Sequence, residues 1–422
     1  MGKLMRFVGI MAGVVIAGAW ISAFAQTVDC FNELPGCLDA GFGVNGRVTV
    51  PSGMQVNGIA IQTVAGEERI VIVGRTYETK PTPPVSWVVV RYLPNGSLDP
   101  TFGSGGIVKM RPKSGRYEAA AVVVQLDNKL VVVGYGHYSG NQELPIVARY
   151  NENGSPDSTF GSGGKVFVPC AYNSKIGGAT GAIALQANGK ILMTGQYGWI
   201  SSRRLFVCRL NGNGQLDTTF NGTGQYLIMD AIGDGSDIVT QWIGQEERIV
   251  ATGPLYESYS NPYAKAAILR FRSNGQLDTS FNGSGMVLID NSYAAAVAVD
   301  SSNRLLALIS QGLARFDISG TLDASFGIAG IAGSQHAGFG FGPDFAIQAD
   351  QKILCPGGFE NYLAVQRFDA NGAGDPTFGS DGWVTTDLGA SYFGGRIAVQ
   401  SDGKFVVAGT SDKNAALARY WQ

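Results

Sequence analysis

One short pattern recurs seven times along this chain. Arg91, Arg149, Arg209, Arg270, Arg315 and Arg367 each stand eight residues before an aspartate: Asp99, Asp157, Asp217, Asp278, Asp323 and Asp375. A seventh arginine, Arg419, lies at the C-terminal end, and a seventh aspartate, Asp39, near the N-terminal end. Three residues after each aspartate comes a phenylalanine: Phe42, Phe102, Phe160, Phe220, Phe281, Phe326 and Phe378. Four residues after each phenylalanine comes a glycine, from Gly46 to Gly382. The period runs from 45 to 61 residues. A repeat this strict at this period requires a repeating architecture, each unit burying its apolar face on the next.

Between copies the sequence breaks into short runs rich in β-branched residues and bounded by Gly, Asn and Asp, the signature of strands. In one unit these are Ala119–Gln125, Lys129–Gly134, Pro145–Tyr150 and Gly164–Val168. Four strands per unit and seven units predict an all-β chain folded as a seven-bladed β-propeller of four-stranded antiparallel blades. The pattern Ile183-Ala184-Leu185-Gln186, Lys190-Ile191-Leu192-Met193, Cys208-Arg209-Leu210 and Asn213-Gly214-Gln215-Leu216-Asp217-Thr218-Thr219-Phe220 resembles the delta-60 repeat family of exported bacterial proteins and, more loosely, the NHL-type propeller repeat. The resemblance covers almost the whole chain after its first residues. It implies a propeller and no common activity. By that analogy the strand ending in Gln62, Gln125, Gln186, Gln241, Asp300, Gln348 or Gln400 is innermost, where small residues such as Ala60, Ala184, Ala298 and Ala398 suit a crowded centre. The sequence departs from the pattern where Pro156 and Gly374 replace Leu, where Asn221 and Asn282 replace Gly, and in a short fifth unit. The last blade has three strands before the C-terminus, so the N-terminal strand around Arg47–Val50 is expected to complete it and close the ring, leaving no open edge.

Asp-Pro-Thr-Phe, at Asp99 and again at Asp375, suits a type I turn whose aspartate accepts backbone amides. Arg91 with Asp99 and Phe102, Arg149 with Asp157 and Phe160, and Arg209 with Asp217 and Phe220 are therefore read as structural: an ion pair beside an apolar plug between blades. The rival reading is a set of calcium loops, suggested by Asp369-x-Asn371-Gly372-x-x-Asp375, but only Asp317 and Asp369 supply an acidic first position. No metal and no cofactor is expected.

Residues 1–25 read as a cleaved signal peptide: Lys3 and Arg6, an apolar stretch, then Ala23-Phe24-Ala25. An uncleaved membrane anchor is the alternative. Residues 26–422 form a single propeller domain, secreted, periplasmic or on the cell surface, with no further membrane span and expected as a monomer. The whole sequence has 31 basic and 33 acidic residues, and the leader removes two basic ones, leaving a net charge of −4. That balance argues against nucleic acid or anionic membrane as a partner. In an exported chain Cys30 and Cys37, around Pro35-Gly36, are expected to form a disulfide loop. Cys208 and Cys355, in apolar strand patterns, read as buried thiols, and Cys170 as a free loop thiol.

In a four-stranded blade, loops joining strands one to two and three to four share one face. That face carries the motif and is expected to be uniform. The opposite face carries the loops that differ between units: 75–86, 111–118, 135–144, 169–180, 196–204, 254–265, 333–343 and 387–394. These are rich in tyrosine and hold both histidines, His137 and His336. Aromatic and small polar residues on rigidly mounted loops make a recognition surface. The binding residues expected here are His137, Tyr138, Tyr197, Trp199, Tyr256, Tyr259 and Tyr263, for a protein or glycan partner. No catalytic residue is assigned. The alternative is a propeller hydrolase or lactonase using an acidic or metal cluster at the channel mouth, with Glu118, Glu143, Glu257, Asp234, Asp237 and Asp344 as candidates.

Overall fold

The structure is a computed structural model. It describes residues 33–51, 53–76, 85–112, 115–139, 142–169, 178–198, 203–228, 231–256, 264–389, 393–410 and 415–422. The leader, Cys30 and Cys170 lie outside these residues. The described residues contain strands and turns and no helix, so no helix among them crosses a membrane.

The strands form seven antiparallel sheets, each a blade. Blade 1 is Met54–Val64, Glu67–Thr76, Ser86–Tyr92 and Ile107–Met110. Blade 2 is Tyr117–Val124, Leu130–Ser139, Gln142–Tyr150 and Lys165–Phe167. Blade 3 is Gly178–Leu185, Ile191–Tyr197, Arg204–Leu210 and Gln225–Leu227. Blade 4 is Asp237–Ile243, Glu246–Tyr256, Ala264–Phe271 and Met286–Asp290, with Ile232–Gly233 prolonging its first strand. Blade 5 is Ala294–Val299, Leu305–Ile309, Gly312–Phe316 and Ile331–Ala332. Blade 6 is Ala346–Ile347, Ile353–Phe359, Tyr362–Phe368 and Trp383–Thr386, its first strand preceded by Gly340–Phe341. Blade 7 is Phe393–Val399, Phe405–Thr410 and Ala415–Tyr420, and Arg47–Thr49 is its fourth strand.

The expected closure is present. Arg47, Val48 and Thr49 pair with Ala418, Leu417 and Ala416. From blade 6 through blade 7 and on to blade 5 the first strands of successive blades touch one another, so they line the axis.

The second and third strands of a blade are covered by a neighbour on both faces. Ile70–Val73 and Val88–Val90 are accordingly continuous apolar runs, all buried, rather than alternating ones. The core is a set of interfaces between blades. Phe42 packs with Ile70 and Leu417 between blades 7 and 1, and Phe102 with Val71 and Val132 between blades 1 and 2. Phe160, Phe220, Phe281, Phe326 and Phe378 fill the five that remain, and all seven phenylalanines are fully buried.

First strands bulge partway along, as between Val56 and Gly58 and between Ala119 and Ala121. The bulge presses on a glycine of the second strand. A Cβ on Gly74 would sit 1.8 Å from the Gln55 carbonyl, and one on Gly134 1.9 Å from that of Glu118.

Cys355 is a buried free thiol, as expected. Cys208 corrects the expectation, because it is disulfide-bonded, as is Cys37.

Candidate functional site

The repeated motif is a seam between blades. In every copy the arginine Nε donates to the aspartate Oδ2 at 2.7 to 2.9 Å. The guanidinium lies over the phenylalanine ring, with its carbon 4.5 to 4.9 Å from the centroid. Arg91, Arg149, Arg209, Arg270, Arg315 and Arg419 then donate to a backbone carbonyl of the following blade, at Glu152, Gly212, Ser273, Ile318, Ala370 and Pro94. The Ser or Thr two residues after Asp99, Asp157, Asp217, Asp278, Asp323 and Asp375 donates its amide and its hydroxyl to Oδ1.

The glycine after each phenylalanine explains the two asparagine departures. Gly103 and Gly161 have φ of 55° and 54°, and Asn221 and Asn282 reach 50°. Asparagine is one of the few residues that tolerates this region.

Sequence reasoning missed a second cation. Each motif aspartate also faces Arg69, Lys129, Lys190, Arg248, Arg304, Lys352 or Lys404, at 2.7 to 3.5 Å. The signal was available, since each stands four or seven positions after the residue that ends an innermost strand, a glutamine in six blades and Asp300 in the fifth. Those glutamines are seam residues too: Gln62 donates to the Asn128 carbonyl of blade 2, and Gln241 to the Asn303 carbonyl of blade 5.

Burial alone would raise the motif carboxyls, but hydroxyl and amide donors with two cations overcome it. All seven are held below the ordinary value, Asp278 and Asp375 at about 2. The carboxylates of the calcium-loop alternative, Asp317 and Asp369, accept backbone amides instead, from Ser319 and Thr321 and from Asn371 and Ala373. Among the described residues no group of three His, Cys, Asp or Glu is placed to hold a metal.

On the variable face, blades 1 and 2 build a polar network. Glu118 is buried and accepts Arg75 at 2.7 Å, the Tyr135 hydroxyl at 2.8 Å and the Asn57 amide at 3.2 Å. Glu143 takes Arg116 in a bidentate pair at 2.6 and 2.9 Å. His137 Nε2 lies 3.2 Å from the same carboxylate, and Arg116 lies over the Tyr135 ring. A second group spans blades 3 to 5: Arg203 pairs with Asp234 at 3.2 Å, and Tyr256 meets Tyr293 edge-on at 6.1 Å. Burial, with Tyr293 and Asp234 nearby, pushes the Tyr256 hydroxyl up to about 12.

The expected binding residues that are described lie in different places. His137 belongs to the first group and Tyr256 to the second. Tyr197 packs partly buried against the core between blades 2 and 3. Tyr138 lies on a strand of blade 2. Trp199, Tyr259 and Tyr263, and the acidic candidate Glu257, lie outside the described residues. His336 turns away to stack on Trp383 at 4.2 Å, and burial lowers its imidazole.

Asp237 and Asp344 stand on innermost strands of blades 4 and 6 or just before them. Each reaches the next blade's first strand, accepting the Val297 amide at 2.9 Å and the Ile397 amide at 3.2 Å. Burial and the Asp344 charge push Asp237 up to about 7, and burial raises Asp344, while Arg396 opposes both. Together the two sets of aspartates give stability opposite slopes. The depressed motif carboxyls contribute stability above their unfolded pKa and lose it as pH falls from about 4 towards 2. The raised Asp237 binds its proton in the folded state, so stability falls as pH rises from about 4 to 7. Melting temperature is expected to peak near pH 4 to 5, and Asp237→Asn is expected to flatten the alkaline side. A melting series across pH that keeps its alkaline slope in Asp237→Asn would assign that slope elsewhere.

The fold and seam define a seven-bladed repeat propeller. Residues 69–102, 125–160, 186–220 and 248–281 match the β-propeller family described as a domain of unknown function, DUF5122. These segments are four of the seven seams. No curated protein matches in sequence. Among solved structures, an inactive variant of virginiamycin B lyase from Staphylococcus aureus with quinupristin is 12% identical, with a TM-score of 0.48, over 88% of this chain and 98% of that one. The WD40 β-propeller domain of Doa1 is 11% identical, also with a TM-score of 0.48, over 88% and 95%. A puromycin hydrolase is 12% identical with a TM-score of 0.46, over 84% and 50%. At these values the likenesses carry no argument about activity.

Proposed function

We propose that this chain is an exported, monomeric, non-enzymatic propeller that binds a protein or glycan through its variable face. One contrast supports the reading. On the motif face the repeated charges are consumed in seams, each aspartate held between two cations. On the variable face, blades 1 and 2 instead hold an irregular set of ionic and aromatic groups, with Tyr135, His137 and Glu143 on paired strands and Arg116 just before one. Polar and aromatic groups on a rigid mount suit recognition. Export agrees with the disulfide-bonded state of Cys37 and Cys208, for which Cys30 and Cys170 are the partners we propose. The hydrolase alternative rests on the raised carboxyl of Asp237 beside Asp344. Both carboxylates already accept two backbone amides, which favours a structural role.

The test is a glycan-array and secreted-protein screen with the chain from residue 26. For the partner found, Glu143→Ala, His137→Ala, Trp199→Ala or Tyr259→Ala is expected to weaken binding at least tenfold while melting stays near that of the parent. Phe160→Ala should do the reverse, because it empties a blade interface. Variants of the first group that melt low and bind normally once folded would make these residues packing groups and end the proposal.

A further inference from the structure

The motif face is not uniform. In blades 2, 3, 5, 6 and 7 the residue ending the innermost strand is followed four positions later by the second cation, as in Gln186 to Lys190. In blades 1 and 4 the spacing is seven, Gln62 to Arg69 and Gln241 to Arg248. The added residues lengthen the hairpin, pairing Thr63 with Glu68 in blade 1 and Trp242 with Glu247 in blade 4. Each long hairpin supplies a glutamate to the preceding blade, replacing the carbonyl that a tight turn offers. Glu68 accepts Gln400 and the Ser401 amide, and Glu247 accepts Gln186 and the Ala187 amide.

The two hairpins differ at three exposed positions, where Thr63, Ala65 and Gly66 of blade 1 stand in the places of Trp242, Gly244 and Gln245 of blade 4. Blade 1 has Thr63 where blade 4 has Trp242, so the hairpin does not need an indole there. Trp242 is 45% exposed. It borders a cleft of about 840 Å³ between blades 3 and 4, the size that small ligands occupy. A second cleft of about 450 Å³ adjoins it across Gln186 and Ala187 and ends under the fully exposed Leu126.

Most charges of the larger cleft already have partners, and Arg272 is the exception, half-exposed and 3.7 Å from Asp278. Lys190 holds Asp217 at 2.7 Å, and Arg248 holds Glu246 at 2.6 Å and Asp278 at 3.0 Å. A charged ligand would compete with these pairs. With Glu246 and Arg272, of opposite charge, the rim also offers neutral donors and acceptors in the exposed amides of Gln245, Asn188 and Asn274. A half-exposed indole flanked by amides fits a ring with apolar C–H faces and hydroxyl edges.

We propose that this cleft is a second binding site, on the face opposite the variable loops, for a neutral oligosaccharide that stacks a pyranose ring on Trp242. The adjoining cleft gives it room for more than one sugar unit.

The test uses the chain from residue 26 and isothermal titration against hexamers of cellulose, xylan, starch and chitin, with a galacturonate hexamer as the acidic probe. At least one neutral hexamer is expected to bind one to one. Trp242→Ala should weaken it tenfold or more, Gln245→Ala several-fold, and Trp242→Phe should retain most of it. Melting should not change, since Trp242 is replaced by Thr63 in the matching hairpin. Glu143→Ala on the other face should leave this binding intact, which separates the two sites. The proposal is overturned if no neutral hexamer binds below millimolar concentration, if only the acidic probe binds, or if Trp242→Ala binds like the parent.

Discussion

Asp217→Asn is expected to destabilise the chain by about 3–5 kcal/mol, the scale for removing one partner of a buried ion pair. Asp217 is almost fully buried, 2.7 Å from both Arg209 and Lys190, and its other oxygen takes the Thr219 amide and hydroxyl. An asparagine keeps the size but removes the charge that both cations face, and Arg209 is as buried as its partner. The loss reaches the next blade, because Arg209 also holds the Ser273 carbonyl and covers the Phe220 ring between blades 3 and 4. Urea unfolding followed by fluorescence measures the cost. Lys190→Met, which removes the more exposed cation, should cost less than Arg209→Met. Were Asp217→Asn as stable as the parent yet unable to bind its partner, the motif would be a ligand site and not a seam.

The seam was legible because it is written seven times. Arg91 with Asp99 and Phe102 means little alone, but the same spacing in every unit can only serve what every unit shares. The second cation is as legible in its spacing, although Lys129 or Lys190 alone is an unremarkable start to a strand. The Glu247 bridge was not legible: it joins residues 61 positions apart and depends on which blade precedes which hairpin. The binding surface is the least legible part. A tyrosine in a loop and a tyrosine packed on a strand have the same letter, and Tyr197 proved to be packed. Trp242 lies on the face where the repeat predicts uniformity. Its signal was the longer spacing between Gln241 and Arg248.

A ring of blades also explains why function is hard to read from such a chain. The strict positions hold neighbours together, so repetition points away from the ligand. Specific chemistry must come from positions where one copy departs from the others. The long hairpins of blades 1 and 4, and the Arg116, His137 and Glu143 group of blade 2, are such departures.

Deleting residues 26–50 is expected to cause the largest loss of all, seen as aggregation or as a melting temperature lowered by many degrees. The segment supplies much more than a fourth strand to blade 7. Asp39 pairs with Arg419 at 2.7 Å and with Lys404 at 3.0 Å, so it completes the only seam whose partners come from opposite ends of the sequence. Phe42 fills the interface between blades 7 and 1, and Arg419 lies over its ring. Upstream, the Pro35 carbonyl accepts the Gly379 amide, the place that Asn95 takes for Gly43 at the next seam. Gly36 and Cys37 clasp Trp421 through two backbone hydrogen bonds. Removal would open the edge of Ala415–Tyr420, a strand buried along its whole length, and would unpair Arg419 at the same time. An exposed, apolar strand edge recruits other chains. Supplying residues 26–50 as a separate peptide should restore solubility and melting, because the strand can pair without being covalently joined. A truncated chain that stays monomeric and melts with the parent would show that the ring does not depend on this closure.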